Sequence, residues 1–343
     1  MSFSFFKRPK TPQELAKAIK DSLMCLDSKT VLEVKSLEKA LEEVEKNFGA
    51  MKVILLGDGE VEPNTDQILQ LTIEICKEDV IGLFFHKLSI LGWEARKDLV
   101  QCWSILLKQK VGSTHCCVQF LENHSDLLDF LVSCYDNKEI SLNCGNMLRE
   151  CIKYPTLAKY ILESPSFELF FKYVELANFD VASDAFSTFK DLLTKHPDAV
   201  AEFLKSHYDE FFEHYEKLLT STNYVTRRQS LKLLSEFLLE PPSSQTMKRY
   251  IAEVQHFKVM MTLLTDSSKN IQMSAFHIFK IFVANPHKPR EIKVILAKNH
   301  ERLLELLNNL SAGKGGDDDQ FDEEKEMIIK EIERVAQLSN LDS

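Results

Sequence analysis

The chain has 343 residues and a formal net charge of −10. This acidic balance argues against a general nucleic-acid binder, which needs a basic excess to displace counterions. No apolar run approaches the roughly 20 residues of a membrane span, so no membrane insertion is predicted. Gly and Pro are scarce, at ten each, and we find no sustained alternation of apolar and polar residues. These features predict an all-α protein.

The predicted elements begin after a flexible leader, residues 1–10. Thr11 is the predicted N-cap and Pro12 the first-turn residue of the first helix. A second helix is predicted over 33–56 and ends at Gly57. Later helices are predicted at 65–78, 79–91, 94–110, 124–135, 139–153, 155–163, 166–176, 179–195, 198–206, 208–220, 223–239, 244–252, 254–265, 267–284, 288–298 and 300–310.

Four of these helices carry sequences that align with one another. The aligned segments begin at Ile140, Val181, Val225 and Ile271, and a weaker copy begins near Ala95. The offsets between the four are 41, 44 and 46 residues, inside the roughly 40–47 of HEAT and armadillo repeats. Because each repeat buries its face against its neighbours, such a chain can exceed the size limit of a single core. We therefore predict one domain over residues 1–343, a right-handed α-solenoid of HEAT/armadillo-like repeats, curved with a concave binding face.

Two stretches depart from this pattern. The segment from Gly112 to Cys117 is predicted to be irregular. An acidic loop over 312–321 precedes a last amphipathic helix at 321–338, which we expect to cap the final repeat because an end repeat needs a polar outer face.

Residues that often carry chemistry form no recognised motif here. The acidic run from Asp317 lacks the Gly at position 6 and the Glu at position 12 of an EF-hand loop. His115, Cys116, Cys117 and His124 lack standard zinc-ligand spacing. The eight cysteines include no C-x-x-C pair, so we expect reduced thiols in a cytoplasmic protein. We predict no cofactor, no metal and no enzymatic activity. A metal-dependent hydrolase is an alternative that elemental analysis would test.

The polar side of the aligned helices suggests a binding surface. Their fourth positions read Asn143, Asp184, Arg228 and Ser274, which in a solenoid would form a polar ladder along one groove. Lys232 lies four residues after Arg228 and therefore on the same helical face.

Three further residues come from nearby predicted helices of the C-terminal half: Lys258, Met261 and Lys298. A basic groove with a soft apolar pocket suits a peptide that carries a carboxylate and an aromatic anchor. The alternative is that Arg228 and Lys232 are merely solvated and that Met261 belongs to the core.

Seven segments spread along the chain carry a family resemblance. They are AMKVIL (50–55), LNCGNMLREC (142–151), FDVASDAFSTFKDLLTKH (179–196), YDEFFEHYEKLL (208–219), NYVTRRQSLKLLSEFLL (223–239), NIQMSAFHIFKIFVANPHK (270–288) and QFDEEK (320–325). Through these segments the chain closely resembles the mouse-protein-25 family, also called calcium-binding protein 39. The resemblance covers nearly the whole chain.

The resemblance implies a scaffold without catalytic activity that binds sterile-20-type kinases or pseudokinases. It also implies that these can join a complex with a liver-kinase-B-type kinase. In the family, a C-terminal pocket takes a Trp-Glu-Phe tail and the concave face favours the active kinase. By motif match, Met261, Lys298 and Lys258 resemble the tail-pocket residues, and Arg228 and Lys232 resemble concave-face contacts. No calcium site is carried over.

One departure bears on partner choice. Pro241 and Pro242 stand where animal members carry a basic and an aromatic residue that contact the partner. The double proline predicts a stiffer turn instead. Two alternatives stay open: an assembly platform that does not activate, and an armadillo-type cargo adaptor. The second would need acidic and Trp/Asn rows, yet the chain has two Trp and a central Arg228.

Overall fold

The computed structural model describes residues 8–26, 34–59, 62–310 and 318–341. These residues form twenty α-helices, three short 3-10 segments and one two-stranded hairpin. The chain therefore has the all-α fold that its composition predicted and the helical repeats that its aligned segments predicted. Its contacts divide it into two compact units, Met1–Lys195 and His196–Ser343, each of which is described by itself.

The first unit contains eleven helices within its described residues. They are α1 (Pro12–Met24), α2 (Val34–Leu56), α3 (Thr65–Lys77), α4 (Val80–His86), α5 (Trp93–Lys108), α6 (Cys116–Asn123), α7 (Asp126–Ser133), α8 (Ser141–Ile152), α9 (Pro155–Glu163), α10 (Leu169–Tyr173) and α11 (Phe179–Thr194). The hairpin of β1 (Lys110–Val111) and β2 (Thr114–His115) lies between α5 and α6.

The second unit contains nine helices within its described residues. They are α12 (Pro197–Ser206), α13 (Tyr208–Leu219), α14 (Tyr224–Leu238), α15 (Ser244–Tyr250), α16 (Val254–Leu263), α17 (Lys269–Ala284), α18 (Arg290–Lys298), α19 (His300–Asn308) and α20 (Asp318–Leu341).

Local sequence signals set the first helix boundaries as expected. Thr11 accepts a hydrogen bond from the Glu14 backbone N–H at 3.3 Å, and the Glu14 side chain accepts one from the Thr11 N–H at 3.0 Å. This reciprocal capping box satisfies donors that a helix start leaves unpaired. Gly57, with a φ of 81°, follows the end of α2 in the left-handed conformation that favours glycine. The predicted leader lies outside the described residues up to position 7.

Within each unit the aligned helices pack against one another in sequence order, with α2 before the first of them and α20 after the last. In the first, α2 packs against α5, α5 against α8 and α8 against α11; in the second, α14 packs against α17 and α17 against α20. Each repeat helix therefore buries its apolar face against the next, which is the packing that defines a helical-repeat fold.

Burial corrects the predicted repeat register. Each repeat helix buries six positions with the same spacing, beginning at Ala95, Ile140, Val181, Thr226 and Ile271. The third aligned copy therefore begins at Thr226, 45 residues after Val181, and not at Val225, which is 44% exposed. The weaker copy near Ala95 is confirmed.

The corrected register changes the predicted polar ladder. Gln229, not Arg228, is the equivalent of Asp184. The Asp184 side chain is only 14% exposed because it forms a bidentate ion pair with Arg149, whose Nη1 and Nη2 lie 2.9 and 2.8 Å from the two carboxylate oxygens. Tyr135 donates to the same carboxylate at 2.8 Å. Asp184 thus belongs to an internal polar network of the first unit.

The sequence predicted an irregular segment from Gly112 to Cys117, and this prediction is wrong. Gly112, with a φ of 62°, turns the hairpin, and the chain then enters α6 directly. His115 Nδ1 donates a hydrogen bond to the Leu107 carbonyl at 3.1 Å, and its ring contacts that of Tyr154 edge-on. The last residue of the hairpin, His115, therefore connects the start of α6 to the end of α5 through this hydrogen bond.

The last helix is longer than predicted and is held by a buried cation. It begins at Asp318 within the described residues, so the predicted acidic loop lies largely outside them. Lys288, whose side chain is 2% exposed, donates to the Val283 carbonyl at 2.6 Å and to Glu331 of α20 at 2.7 Å. A buried ammonium needs such partners because its desolvation is costly. In the part of the chain that is described, no helix has the length and apolar character to cross a membrane.

Candidate partner-binding site

The exposed side of α14 carries an aromatic and basic stripe. Tyr224, Arg228 and Lys232 follow one another at four-residue steps, so they share one helical face. Tyr224 is 39% exposed, Arg228 is exposed, and the Lys232 side chain is 68% exposed. Ser268 donates to the Tyr224 hydroxyl at 3.5 Å, and this bond, with one from Asn270, lowers the pKa of Tyr224. We call these three residues the α14 stripe.

The neighbouring arginine has a different role. Arg227 donates through Nη1 to the Ser221 carbonyl at 2.8 Å and the Thr222 carbonyl at 3.2 Å, and its Nη2 lies 3.4 Å from the Asp266 carboxylate. Its side chain is 20% exposed. Arg227 therefore joins the start of α14 to the loop before α17, while Arg228 is exposed to solvent.

Two adjacent methionines of α16 differ in burial, as Arg227 and Arg228 do in α14. Met260 is fully buried and belongs to the core, whereas Met261 is half-buried. Lys258, three residues before Met261, is exposed. The half-burial of Met261 leaves part of its soft thioether side chain open to contact, as binding surfaces that use methionine do.

Lys258 lines an open pocket of about 430 Å³ between α13, α16 and the start of α18. The other residues that line it are Glu216, Thr220, Val254, Gln255, Val259, Thr262 and Glu291. The lining combines one cation with two carboxylates and two valines. The residues around this pocket include neither Met261 nor Lys298.

A buried histidine contacts Glu216, one of the residues that line this pocket. His256 is 4% exposed, lies with its ring 4.1 Å from that of Tyr250 in a stacked geometry, and bridges Glu216 to Glu253. Gln255 donates to Glu216 at 2.6 Å. Burial raises the pKa of Glu216, but the hydrogen bonds from His256 and Gln255 outweigh it and the pKa is lowered overall. Glu216 is thus held ionised and already paired.

Lys298 is the last residue of α18 and is exposed. A cation at this position interacts favourably with the negative end of the helix dipole. Helix α18 packs against both α16 and α20. The structure therefore places Lys258, Met261 and Lys298 on two helices in contact, and Arg228 and Lys232 on α14 of the same unit.

The double proline forms the turn that the sequence predicted. Pro241–Ser243 is a 3-10 segment and α15 begins at Ser244. Glu240 is extended, with a ψ of 137°, as a residue before proline prefers. Pro241 and Pro242 are both exposed, so this turn presents no basic or aromatic side chain of its own.

The structure offers no assembled metal-ligand set among its described residues. No group of three or more His, Cys, Asp or Glu side chains lies close enough there to hold a metal ion. His124, one of the candidate zinc residues, instead bonds through Nδ1 to the Phe120 carbonyl at 2.9 Å.

Comparison with known proteins finds a matching family model and similar proteins from several organisms. A family model described as Mo25-like matches residues 3–336. The chain is 45% identical over 328 residues to a human protein named calcium-binding protein 39-like, with 96% of each chain covered. It is 41% identical over 335 residues to the Mo25-like protein of Schizosaccharomyces pombe, with 98% of this chain and 100% of that one covered. A putative MO25-like protein of Arabidopsis thaliana is 41% identical over 332 residues, with 96% of each covered.

The match spans both units and includes the α14 stripe, α16 and α18. Membership supports a scaffold-type protein. The chain belongs to the Mo25-like family.

Proposed function

We propose that this chain is a non-catalytic cytoplasmic scaffold that binds sterile-20-type kinases or related pseudokinases and activates them allosterically. Family membership supports the scaffold part of this proposal. The α14 stripe is the observation that carries the partner-binding part, because an aromatic ring and two cations stand exposed at regular steps on an acidic protein. Aromatic residues and arginine are the side chains that most often dominate binding energy at interfaces.

The second contact in this proposal is the tail of the partner, which carries aromatic and acidic residues. Met261 supplies polarisable apolar surface for the aromatic ring, and Lys258 and Lys298 supply positive charge for the carboxylates. Glu216 stands beside Lys258 in the pocket wall, but His256 and Gln255 already pair it. That pairing reduces the repulsion that an incoming carboxylate would meet.

Activation in this proposal follows from unequal affinity. The α14 stripe binds the closed kinase better than the open one, and only such a difference can shift the kinase equilibrium. A tenfold preference corresponds to about 1.4 kcal/mol. The activated kinase or pseudokinase can in turn join a complex with a liver-kinase-B-type kinase. A scaffold that binds both kinase states equally would be an assembly platform without activation.

The proposal is tested by the affinity of the purified chain for a sterile-20-type kinase domain with its C-terminal tail, taken from the same organism. Arg228→Ala and Met261→Ala are each expected to weaken binding by about 1–2 kcal/mol, roughly 5- to 30-fold. Lys330→Ala is the matched control, since this lysine is 73% exposed on α20 away from both contacts in sequence. Deleting the kinase tail should reduce affinity for the parent and remove the effect of Met261→Ala.

The proposal is contradicted if both variants bind as tightly as the parent. Selective binding of a basic transport signal in place of the kinase would instead identify a cargo adaptor.

A further inference from the structure

Two cysteines of the first unit lie side by side on packed helices. Cys76, in the last turn of α3, has its Sγ 3.6 Å from the Sγ of Cys117, the second residue of α6. The two helices pack directly against each other. A disulfide needs an S–S separation of about 2.0 Å, so the two sulfurs need to approach by about 1.6 Å to bond.

The two thiols differ in access to solvent. Cys76 is partly exposed, whereas Cys117 is fully buried. An oxidant from solvent therefore reaches Cys76 first, and Cys117 is placed behind it. This is the arrangement of an attacking thiol and a resolving thiol in redox-sensitive proteins.

The hydrogen bond between the thiols also favours the thiolate form of Cys76 over that of Cys117. Either sulfur can donate when both thiols are protonated, but once Cys76 is ionised only the Cys117 S–H can donate to it. This hydrogen bond lowers the pKa of Cys76, although burial acts in the opposite direction. The same contact and its own burial raise the pKa of Cys117. Cys116, the adjacent partly exposed thiol, has its pKa raised by burial. Since thiolates and not thiols attack peroxides, Cys76 is favoured over its neighbours.

We propose that Cys76 and Cys117 form a reversible oxidation site, at which a hydroperoxide converts the two thiols into an intrachain disulfide that joins α3 to α6. In the first step the Cys76 thiolate attacks one peroxide oxygen, the O–O bond breaks, and the leaving hydroxide becomes water after protonation. Cys76 is then a sulfenic acid. In the second step the Cys117 sulfur attacks the Cys76 sulfur, the S–S bond forms, and the displaced hydroxide takes the thiol proton and leaves as water. Two thiols are oxidised and one hydrogen peroxide is reduced to two waters.

A second thiol pair in the same unit provides an internal comparison. Cys134 and Cys144 are also hydrogen-bonded to each other, but they are 5% and 0% exposed. Because both cysteines are buried, peroxide from solvent reaches them less readily than Cys76, and this pair is expected to stay reduced longer. The proposed site differs from the Cys134–Cys144 pair in the solvent access of one of its thiols, and not in the proximity of its two sulfurs.

The test is a map of the oxidation products in the folded full-length chain. The reduced protein is treated with hydrogen peroxide, its remaining thiols are alkylated under denaturing conditions, and its peptides are examined by mass spectrometry. The alkylated thiols should fall by two from the eight of the chain. A linked peptide pair containing Cys76 and Cys117 should appear and should disappear after dithiothreitol treatment.

Three variants sharpen this test. Cys76→Ser and Cys117→Ser should each lack the linked peptide, whereas Cys116→Ser, which changes the adjacent thiol, should keep it. The proposal is overturned if the parent chain links Cys76 to Cys116, links Cys134 to Cys144 first, or converts Cys76 to a sulfinic acid without any link. The map of the parent chain decides the question even if a serine variant does not fold.

Discussion

Replacing Gly145 of α8 by alanine should strongly destabilise the first unit. A Cβ at this position would lie 2.0 Å from Oδ2 of Asp184 and 2.5 Å from the hydroxyl of Tyr135, both far inside van der Waals contact. The Asp184 carboxylate cannot simply move away, because Arg149 and Tyr135 hold it. The substitution therefore has to break or displace the polar network that joins α8 to α11.

The expected magnitude follows from opposing contributions. Overpacking a filled site costs about 1–3 kcal/mol, and each hydrogen bond lost to a charged group costs a further ~1.5–3 kcal/mol. The higher helix propensity of alanine relative to glycine offsets about 1 kcal/mol of this loss in the free energy of unfolding. A net loss of about 2–4 kcal/mol in the free energy of unfolding is expected. For a unit of this size, that lowers the melting temperature by about 5–15 °C.

The assay is urea unfolding followed by circular dichroism, with Gly49→Ala as the matched control. Gly49 also lies in a helix of the first unit, α2, but a Cβ there meets nothing within 4 Å. Gly49→Ala should leave stability unchanged or raise it by up to ~1 kcal/mol. If Gly145→Ala unfolds within about 0.5 kcal/mol of the parent, the close approach of Asp184 has been misjudged.

Two further predictions concern the second unit. Hydrogen bonds from Arg334 and Lys288 lower the pKa of Glu331 to about 2, so this carboxylate stabilises the fold above its unfolded pKa and the contribution is lost as pH falls from about 4.5 towards 2. Glu331→Gln should therefore lower stability at neutral pH and flatten the acid limb of the stability–pH curve measured by urea unfolding. An unchanged acid limb would contradict the stabilising role of the hydrogen bonds that Arg334 and Lys288 donate to Glu331. Arg227→Ala should reduce the free energy of unfolding by about 1–3 kcal/mol, since it removes hydrogen bonds of a charged group, whereas Arg228→Ala should stay within about 0.5 kcal/mol. Equal effects of the two substitutions in the same unfolding assay would refute the separate roles of these arginines.

The sequence predicted the repeat fold because the apolar spacing of most repeat helices is legible. It placed one repeat a residue too early because two of the buried positions there, Thr226 and Ser230, are polar. Hydropathy alone favours Val225 over Thr226. The cap positions carry the missing signal, since Asn178, Asn223 and Ser268 are the N-caps of α11, α14 and α17.

The candidate site was predictable in part. The repeat alignment selected Arg228 through its fourth position, but in a register that burial corrects to Gln229. Family resemblance selected Arg228 and Met261 as well. Arg228 and Met261 are more exposed than Arg227 and Met260, respectively, although exposure does not test the partner. The pocket beside Lys258 was not foreseen, since it depends on Glu216 and Glu291 from other helices.

The start of α6 shows a different limit. The run from Gly112 through two cysteines has no helical pattern, yet the hairpin positions Cys116 to begin a helix. The contact of Cys117 with Cys76, 41 residues earlier, depends on that tertiary packing. No local pattern in the sequence predicts this contact between the two cysteines.

The most direct test of the central claim is kinase activity at saturating scaffold. A sterile-20-type kinase from the same organism is assayed with enough parent protein, or enough Arg228→Ala/Lys232→Ala double variant, to occupy all of the kinase. We expect the parent to raise the turnover rate and the saturated variant to raise it much less, because the α14 stripe supplies the preference for the closed kinase. A kinase that is fully bound by the parent but no more active than the free enzyme would contradict allosteric activation by this chain.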